Sequence, residues 1–359
     1  MFHVGRADCQ VSAQPNPAGD KPTWLANACG LGAVGGLNMD MRVRSIKHPL
    51  RPDSDISATG RVDVKQLDAF VYGCTSSAQD ALNSAPPPGF NEFERDQLKE
   101  LIEGQRHSHK AIRKLLQGEQ AASAVDALTI ARLQLETLYS FCYMLQDAEN
   151  VRLFMKNAWR KKYVRFLLQR EERQHLPRFH DFFKTALPHI DLLQRLSCVT
   201  EAERQTIERE ELGVPFEPGF TPARIRRFPS PMGIISEIKT PSQRKMLQRL
   251  YPEYQYLCSF AHPDPESSVF RALSDPRSRV QRELSSEQLK DFYQRQVLED
   301  PVVYSAMSAV QTATEVADVC KADIDLLAKV TEAWSFFVRI SLLAVLLWEM
   351  RAKEVLPLV

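Results

Sequence analysis

From residue 90 onward, one helix-forming segment follows another, and this pattern restricts the fold more than any other feature of the sequence. Apolar residues recur at three- and four-residue intervals. No run shows the alternation of apolar and polar residues that is typical of a half-buried strand. The sequence therefore predicts an all-α fold, a multi-helix bundle.

Capping and stop signals bound the predicted helices. Asn91 and the acids after it begin one helix, and Gly118 follows its end. Two shorter helices are expected to be broken by Pro177 and Pro188, because proline removes a backbone donor. The remaining predicted helices cover residues 63–83, 120–146, 150–174, 242–261 and 285–298, with a long pair over 302–353.

Three regions are predicted along the chain. Residues 1–60 are rich in Gly, Pro, Asn, Asp and Ser without periodicity, which favours a flexible N-terminal arm; translation from Met39 or Met41 is an alternative explanation of this leader. Residues 61–89 form a short helix and a proline-rich break. Residues 90–355 form a single helical domain with a long loop near 213–241, a length typical of functional loops.

Charge and cysteine content exclude several classes of protein. The formal net charge is +1, so the chain as a whole is neither a nucleic-acid coat nor a membrane-surface protein. Seven cysteines, none at a CxxC spacing, indicate a reducing compartment, and we expect a cytoplasmic protein. The apolar segment 333–348 is shorter than a bilayer span and contains Arg339, so a core helix is expected and no membrane contact.

The sequence contains no motif for a cofactor or a metal. P-loop, GxGxxG, GxSxG and HExxH patterns are all missing. His107 and His109 are two residues apart on a predicted helix, which directs their imidazoles to different faces. We expect neither a cofactor nor a metal site.

The segment "ALTIARLQLETLYSFCYML", residues 127–145, carries two opposite charges in an otherwise apolar helix. Arg132 and Glu136 are four residues apart and therefore share one face. A charge in the interior must be paired and hydrogen-bonded, because its desolvation costs several kcal/mol. Either the pair closes on itself with further polar partners, or it lines a polar pocket.

A partner for this pair is predicted from the segment "YQYLCSFAHPDPESS", residues 254–268. Pro263 ends the helix there and sets His262 at its C-terminal end, where the helix dipole favours the imidazolium. Arg132, Glu136 and His262 are the candidate catalytic residues. The candidate ligand-binding residues around them are Tyr139, Tyr256, Arg249 and Asp264.

A second candidate site is the basic segment 152–178, with nine Lys or Arg residues against two acids. The aromatic residues Trp159, Tyr163 and Phe166 are interleaved with the charges, a composition that can contact phosphates and stack bases. The alternative is a solvated helix face with its aromatic residues turned inward. The segment 221–249 is also basic, although acidic neighbours could neutralise both segments. The candidate nucleic-acid contacts are Arg160, Lys161, Lys162 and Arg165.

Three segments in the order "HKAIRKLLQG", "ARLQLETLY" and "YQYLCSFAHPDPESS" resemble an uncharacterised bacterial helical family, domain of unknown function five-six-seven-seven. The resemblance covers roughly residues 95–275. It rests on an Arg-x-x-x-Glu helix and a later Tyr-x-x-Leu-Ser-x-x-x-His-Pro-type segment. Cys258 stands where serine is usual in that family, and a thiol is a weak donor. The resemblance implies an all-helical fold and no established activity.

The chain is also loosely similar to the HEPN-like helical domains of toxin and phage-defence systems. Many of those are ribonucleases that use an Arg and a His with four to six residues between them. Arg170 and His175 fit this spacing, as do Arg173 and His180, but chance matches are expected among 46 basic residues and eight histidines. The closest arginine before His262 is Arg249, which is too distant for the motif.

The sequence is therefore consistent with two alternative functions. The first is a helical interaction or ligand-sensing module in bacterial defence or regulation, with a purely structural Arg-Glu-His cluster. The second is a HEPN-like, metal-independent ribonuclease in which His262 is the general acid or base, Glu136 tunes it and Arg132 holds a phosphate. RNA and protein are both candidate partners, and a homodimer is a candidate oligomeric state.

Overall fold

The computed structural model describes residues 63–117, 122–261, 268, 271–272, 279–283, 285–292, 297–320 and 324–356. Within these ranges all regular structure is helical and no strand occurs, which confirms the predicted all-α class. The predicted arm over residues 1–60 lies outside the described residues. The residues that are described all belong to one compact unit.

The described α-helices differ widely in length, from three residues to 26. In chain order they are α1 (Val64–Ser84), α2 (Glu92–Leu116), α3 (Ala122–Met144), α4 (Ala148–Arg173), α5 (His180–Leu196), α6 (Glu201–Glu211), α7 (Pro231–Glu237), α8 (Pro241–Ala261), α9 (Arg279–Glu283), α10 (Ser286–Phe292), α11 (Asp300–Val319), α12 (Ile324–Ile340), α13 (Leu342–Leu347) and α14 (Lys353–Val355).

Side-chain caps fix the starts of several helices. At α2 the Asn91 side chain accepts a hydrogen bond from the Glu94 N–H at 2.9 Å, and the Glu94 carboxylate accepts from the Asn91 N–H at 2.9 Å. Thr200 and Glu203 form the same reciprocal pair at the start of α6. These capping boxes satisfy donors that the first turn leaves unpaired. The predicted helix start at Asn91 is confirmed.

The main core lies between α1, α2, α3, α8, α11 and α12, with α11 in the middle. Every residue of α11 from 305 to 317 is buried. Most of these residues are Ala, Ser, Thr or Val, whose small volumes allow neighbouring helices to approach closely. A helix buried on all faces also requires a partner for each polar side chain that it carries.

A second core lies beside the main one and is built by the C-terminal half of α4 with α5, α6 and the chain that follows. Its buried residues are Trp159, Tyr163, Phe166, Leu167, Ile190, Val199, Ile207 and Ile225. The N-terminal half of α4 packs through Val151 against the main core. Helix α4 therefore belongs to both cores.

The proline positions correct part of the prediction. Pro188 lies inside α5, so the expected break there was wrong. Packing on α4 supports the helix past the proline, since the Trp159 indole donates a hydrogen bond to the Ile190 carbonyl at 3.1 Å. Pro177, in contrast, begins a short 3₁₀ turn just before α5. The long connection at 213–241 contains α7, which Ser230 caps.

The apolar segment 333–348 is not one helix. It is divided at Ser341, which has an extended backbone and caps α13 with its side chain. A single π-helical turn, Trp348–Ala352, follows α13. Among the described helices, none has the length and apolar character needed to cross a membrane.

Candidate functional site

Arg132 and Glu136 pair on α3, with 3.1 Å between guanidinium and carboxylate. The side chain of Arg132 is 19% exposed and that of Glu136 is 41% exposed, so the pair lies at the rim of the bundle. The sequence suggested charges in a buried helix. The structure resolves this conflict because only part of α3 is buried: the two charges lie on the side of the helix that reaches solvent, where Leu133 is 48% exposed.

Helix α8 supplies further partners for Arg132. The Nε of Arg132 donates to the Cys258 sulfur at 3.2 Å, and the Nη2 of Arg132 donates to the Tyr254 hydroxyl at 3.3 Å. The guanidinium carbon also lies 5.6 Å from the centroid of the Tyr254 ring. Burial alone would lower the pKa of Arg132, but these hydrogen bonds raise it above its usual range. The side chain therefore holds a permanent charge between α3 and α8.

The two helices run antiparallel, and this sets which residues face each other. Thr129 on α3 donates to the Phe260 carbonyl at 3.3 Å, while Tyr139, further along α3, donates to the Leu247 carbonyl at 2.7 Å. Glu136 is thus level with Tyr254 and not with the C-terminal end of α8. His262 and Asp264, predicted for catalysis and ligand binding, lie outside the described residues.

The other predicted ligand contacts are dispersed. Tyr139 is buried in the main core, where burial raises the pKa of its hydroxyl well above the usual range. Tyr256 is half-buried, with its ring edge-on to Phe260 at 5.1 Å. Arg249 is exposed. Around Arg132 and Glu136 the fold therefore assembles Tyr254 and Cys258 in place of the predicted ligand-binding residues.

The basic segment on α4 divides into two environments. Lys161, Lys162 and Arg165 are exposed to solvent, while Arg160 is half-buried. The interleaved aromatic residues Trp159, Tyr163 and Phe166 are buried in the second core and are stacked on one another. Those rings are unavailable for stacking on bases, as the alternative interpretation of this segment expected.

Residues 221–230 form a segment that we call the arginine loop. Between this loop, α4 and α6 lies a cleft of about 240 Å³ beside Arg160, which we call the arginine cleft. Its lining residues are Arg160, Thr206, Ile207, Glu210, Arg224, Ile225 and Arg227. Three guanidinium groups thus face one carboxylate in a concave site, which favours an anionic ligand. The basic composition of segment 221–249 was the sequence signal for this site, but composition alone does not single out Arg224 or Arg227.

A third polar cluster joins α1, α2 and α11. His109 Nδ1 lies 2.8 Å from the Ser305 hydroxyl, and its Nε2 lies 3.0 Å from the Asp68 carboxylate. Arg113 donates to the same Asp68 oxygen at 3.1 Å. The order of groups is that of a Ser–His–Asp triad, yet His109 and Ser305 are completely buried, so no substrate could reach the hydroxyl. The cluster connects three helices.

An almost completely buried ion pair joins Arg351, in the π-helical turn, to Glu315 on α11. Their closest N–O distance is 2.6 Å, and the two residues are 3% and 1% exposed. Gln243 and Gln311 each donate to the Glu315 carboxylate at 2.7 Å. Asp318 accepts a further hydrogen bond from Arg351 at 2.6 Å. This pair has the additional hydrogen bonds that a buried ion pair requires.

In the part of the chain that the structure describes, no group of three or more His, Cys, Asp or Glu side chains could hold a metal ion. The described cysteines are free thiols. Comparison of the chain with protein families, with curated proteins and with solved structures finds no match.

Proposed function

We propose that the protein is a helical binding module for an anionic ligand and that it performs no chemistry. The observation that carries the proposal is the different use of two arginines. Arg132 is held by Glu136 and by α8, whereas Arg227 lines the arginine cleft and has no ion pair among the described residues. An arginine without a partner, at a concave surface, is suited to bind a carboxylate or a phosphate.

The geometry of the rim pair supports a structural role. Arg132 contacts Cys258 and Tyr254 across the seam between α3 and α8, so binding a phosphate would require it to abandon these partners. Glu136 faces Tyr254, and burial raises the pKa of the Tyr254 hydroxyl. Tyr254 is therefore a neutral phenol near neutral pH and is no general base.

A second candidate function is a ribonuclease that uses Arg132, Glu136 and His262. One observation favours it: Glu136 is 41% exposed, so solvent and ligands can reach its carboxylate. The carboxylate could then tune a nearby imidazole, as general acid–base catalysis requires.

An RNA-cleavage assay separates the two functions. Labelled RNA is incubated with the wild type, with His262→Ala and with Glu136→Gln. Under our proposal none of the three proteins cleaves it. Cleavage by the wild type that is lost in both variants would establish the ribonuclease and overturn the proposal.

A binding assay tests the anionic ligand directly. Thermal unfolding of the wild type is followed with inorganic diphosphate, with heparin and with a short RNA at constant ionic strength. At least one of these anions should raise the unfolding temperature of the wild type, and Arg227→Gln should reduce that shift. Arg165→Gln is the matched control, because Arg165 is exposed on α4 outside the cleft. If no anion stabilises the protein, the proposed function is wrong.

A further inference from the structure

The arginine loop is fixed to the two helices that flank the cleft. The Ala223 N–H donates to the Thr206 hydroxyl on α6 at 3.0 Å, and Asn157 on α4 donates to the Arg226 carbonyl at 2.8 Å. Between these two anchors, Ile225 is buried in the second core. The loop is therefore held at three nearby positions, and the cleft exists before any ligand arrives. Preorganisation of this kind lowers the entropic cost of binding.

The three arginines of the cleft differ in how firmly they are paired. Arg224 donates to Glu210 at 2.7 Å. Arg160 lies 3.8 Å from Glu211, which is near the limit of an ion pair. Arg227 has no ion pair within the described chain. The three arginines at the cleft thus exceed the two carboxylates beside them, Glu210 and Glu211, and two guanidinium groups can turn to a ligand without losing a close partner.

The size of the cleft narrows the class of ligand. A volume of about 240 Å³ is below the roughly 300–1,000 Å³ that is usual for pockets that bury a drug-sized molecule. A compact anion with several acceptor oxygens matches this volume and can reach guanidinium groups on both α4 and the loop. Planar guanidinium forks bind phosphate oxygens in pairs. A single carboxylate has too few oxygens to engage three such forks.

We propose that the arginine cleft binds a diphosphate group, either as inorganic diphosphate or as the end of a small phosphorylated molecule. This inference rests on the proposed function and specifies its ligand. Arg160 on α4 and Arg227 on the loop each contact one phosphate, and Arg224 exchanges Glu210 for the ligand. Glu210 opposes binding, since its carboxylate lies among the groups that hold the anion.

The surface of α4 argues against a nucleic-acid strand as the ligand. The aromatic residues that could stack on bases are buried in the second core. Lys161, Lys162 and Arg165 are exposed but do not line the cleft. A compact phosphate ligand needs only the cleft residues, whereas a strand would also need the exposed charges of α4.

Isothermal titration of the purified protein with inorganic diphosphate tests the proposal at constant ionic strength. Arg227→Gln should weaken binding about tenfold or more, because hydrogen bonds to charged groups contribute on that scale. Glu210→Gln should tighten binding several-fold, and Arg165→Gln should leave it unchanged. A nucleoside diphosphate is titrated in parallel. If it binds more tightly than the inorganic ion, the natural ligand carries an organic part, and equal affinities assign the site to the diphosphate alone.

The two substitutions should change the affinity for diphosphate in opposite directions, weaker in Arg227→Gln and tighter in Glu210→Gln. A variant that is merely destabilised would not bind more tightly. Diphosphate that does not bind the wild type, or that binds equally to Arg227→Gln, overturns the proposal. If RNA or heparin still binds in a manner that depends on Arg227, the proposed function stands and only the diphosphate assignment fails.

Discussion

The main core and the second core differ in how completely their charged side chains are paired. In the main core, Glu315, Arg351 and His109 are turned inward, and each has partners from other helices. At the second core, Arg204 on α6 is likewise paired, with Asp191 on α5 at 2.9 Å, whereas Arg160, Arg224 and Arg227 lie around a cleft at its edge. Charge connects helices in both regions, and at the second core part of it is also available to a ligand. A charged cluster therefore indicates a site only when some of its charge is left unpaired.

The largest effect is expected where a charge of the main core loses its partner. Arg351→Met leaves Glu315 buried and unpaired, and removal of one partner from a buried ion pair costs about 3–5 kcal/mol. Urea unfolding followed by circular dichroism measures this loss. The double variant Glu315→Gln/Arg351→Met should recover much of it, because no charge is then left in the core. Arg165→Met, on the surface, is the control and should change stability by less than about 0.5 kcal/mol.

Asp68→Asn tests the cluster between α1, α2 and α11. Burial opposes ionisation of Asp68, but His109 and Arg113 outweigh it and lower its pKa. A carboxylate with a lowered pKa adds stability that is present above its unfolded pKa and is lost as the pH falls through the folded value. We therefore expect Asp68→Asn to cost about 1–3 kcal/mol at neutral pH.

The difference between the wild type and Asp68→Asn should shrink as the pH falls below about 4. Unfolding free energies from pH 7 down to the acid limit of folding measure this. A difference that stays constant over the whole range would show that Asp68 acts through packing and not through its charge.

The smallest effects are expected at the rim pair. Glu136→Gln should cost at most about 1 kcal/mol, since exposed ion pairs contribute little. Arg132→Met should cost somewhat more, because it also removes the contacts with Cys258 and Tyr254. Cys258→Ser keeps an acceptor for Arg132 and should be nearly neutral. Chemical unfolding of the three variants side by side tests this order, and a cost for Glu136→Gln above that for Arg132→Met would contradict it.

Most of the fold could be predicted from the sequence because its signals are local. The cap at Asn91 fixes α2, and the four-residue spacing of Arg132 and Glu136 correctly places them on one face of α3, where they pair. The break expected at Pro188 was wrong, since packing of α5 on Trp159 outweighs the loss of one backbone bond. Local preference decides a helix only where tertiary packing does not oppose it.

The candidate sites were harder to predict because they depend on contacts between distant segments. His109 follows Leu98, Ile102 and Gln105 at intervals of three and four residues. This spacing predicts that His109 lies on the buried face of α2. Its partner Ser305 was not, because 196 residues separate the two. The same holds for the arginine cleft: only the anchors of the loop decide which of its arginines face α4 and α6.

Helix α4 couples the two cores mechanically, because its 26 residues form one continuous helix of about 39 Å that packs in both. Its first half is held by the main core and its second half by the second core. Local opening of the second core exposes amide hydrogens along the C-terminal turns of α4 while those of the N-terminal turns stay protected. The boundary between fast and slow exchange on this one helix thus reports how strongly the two cores are coupled.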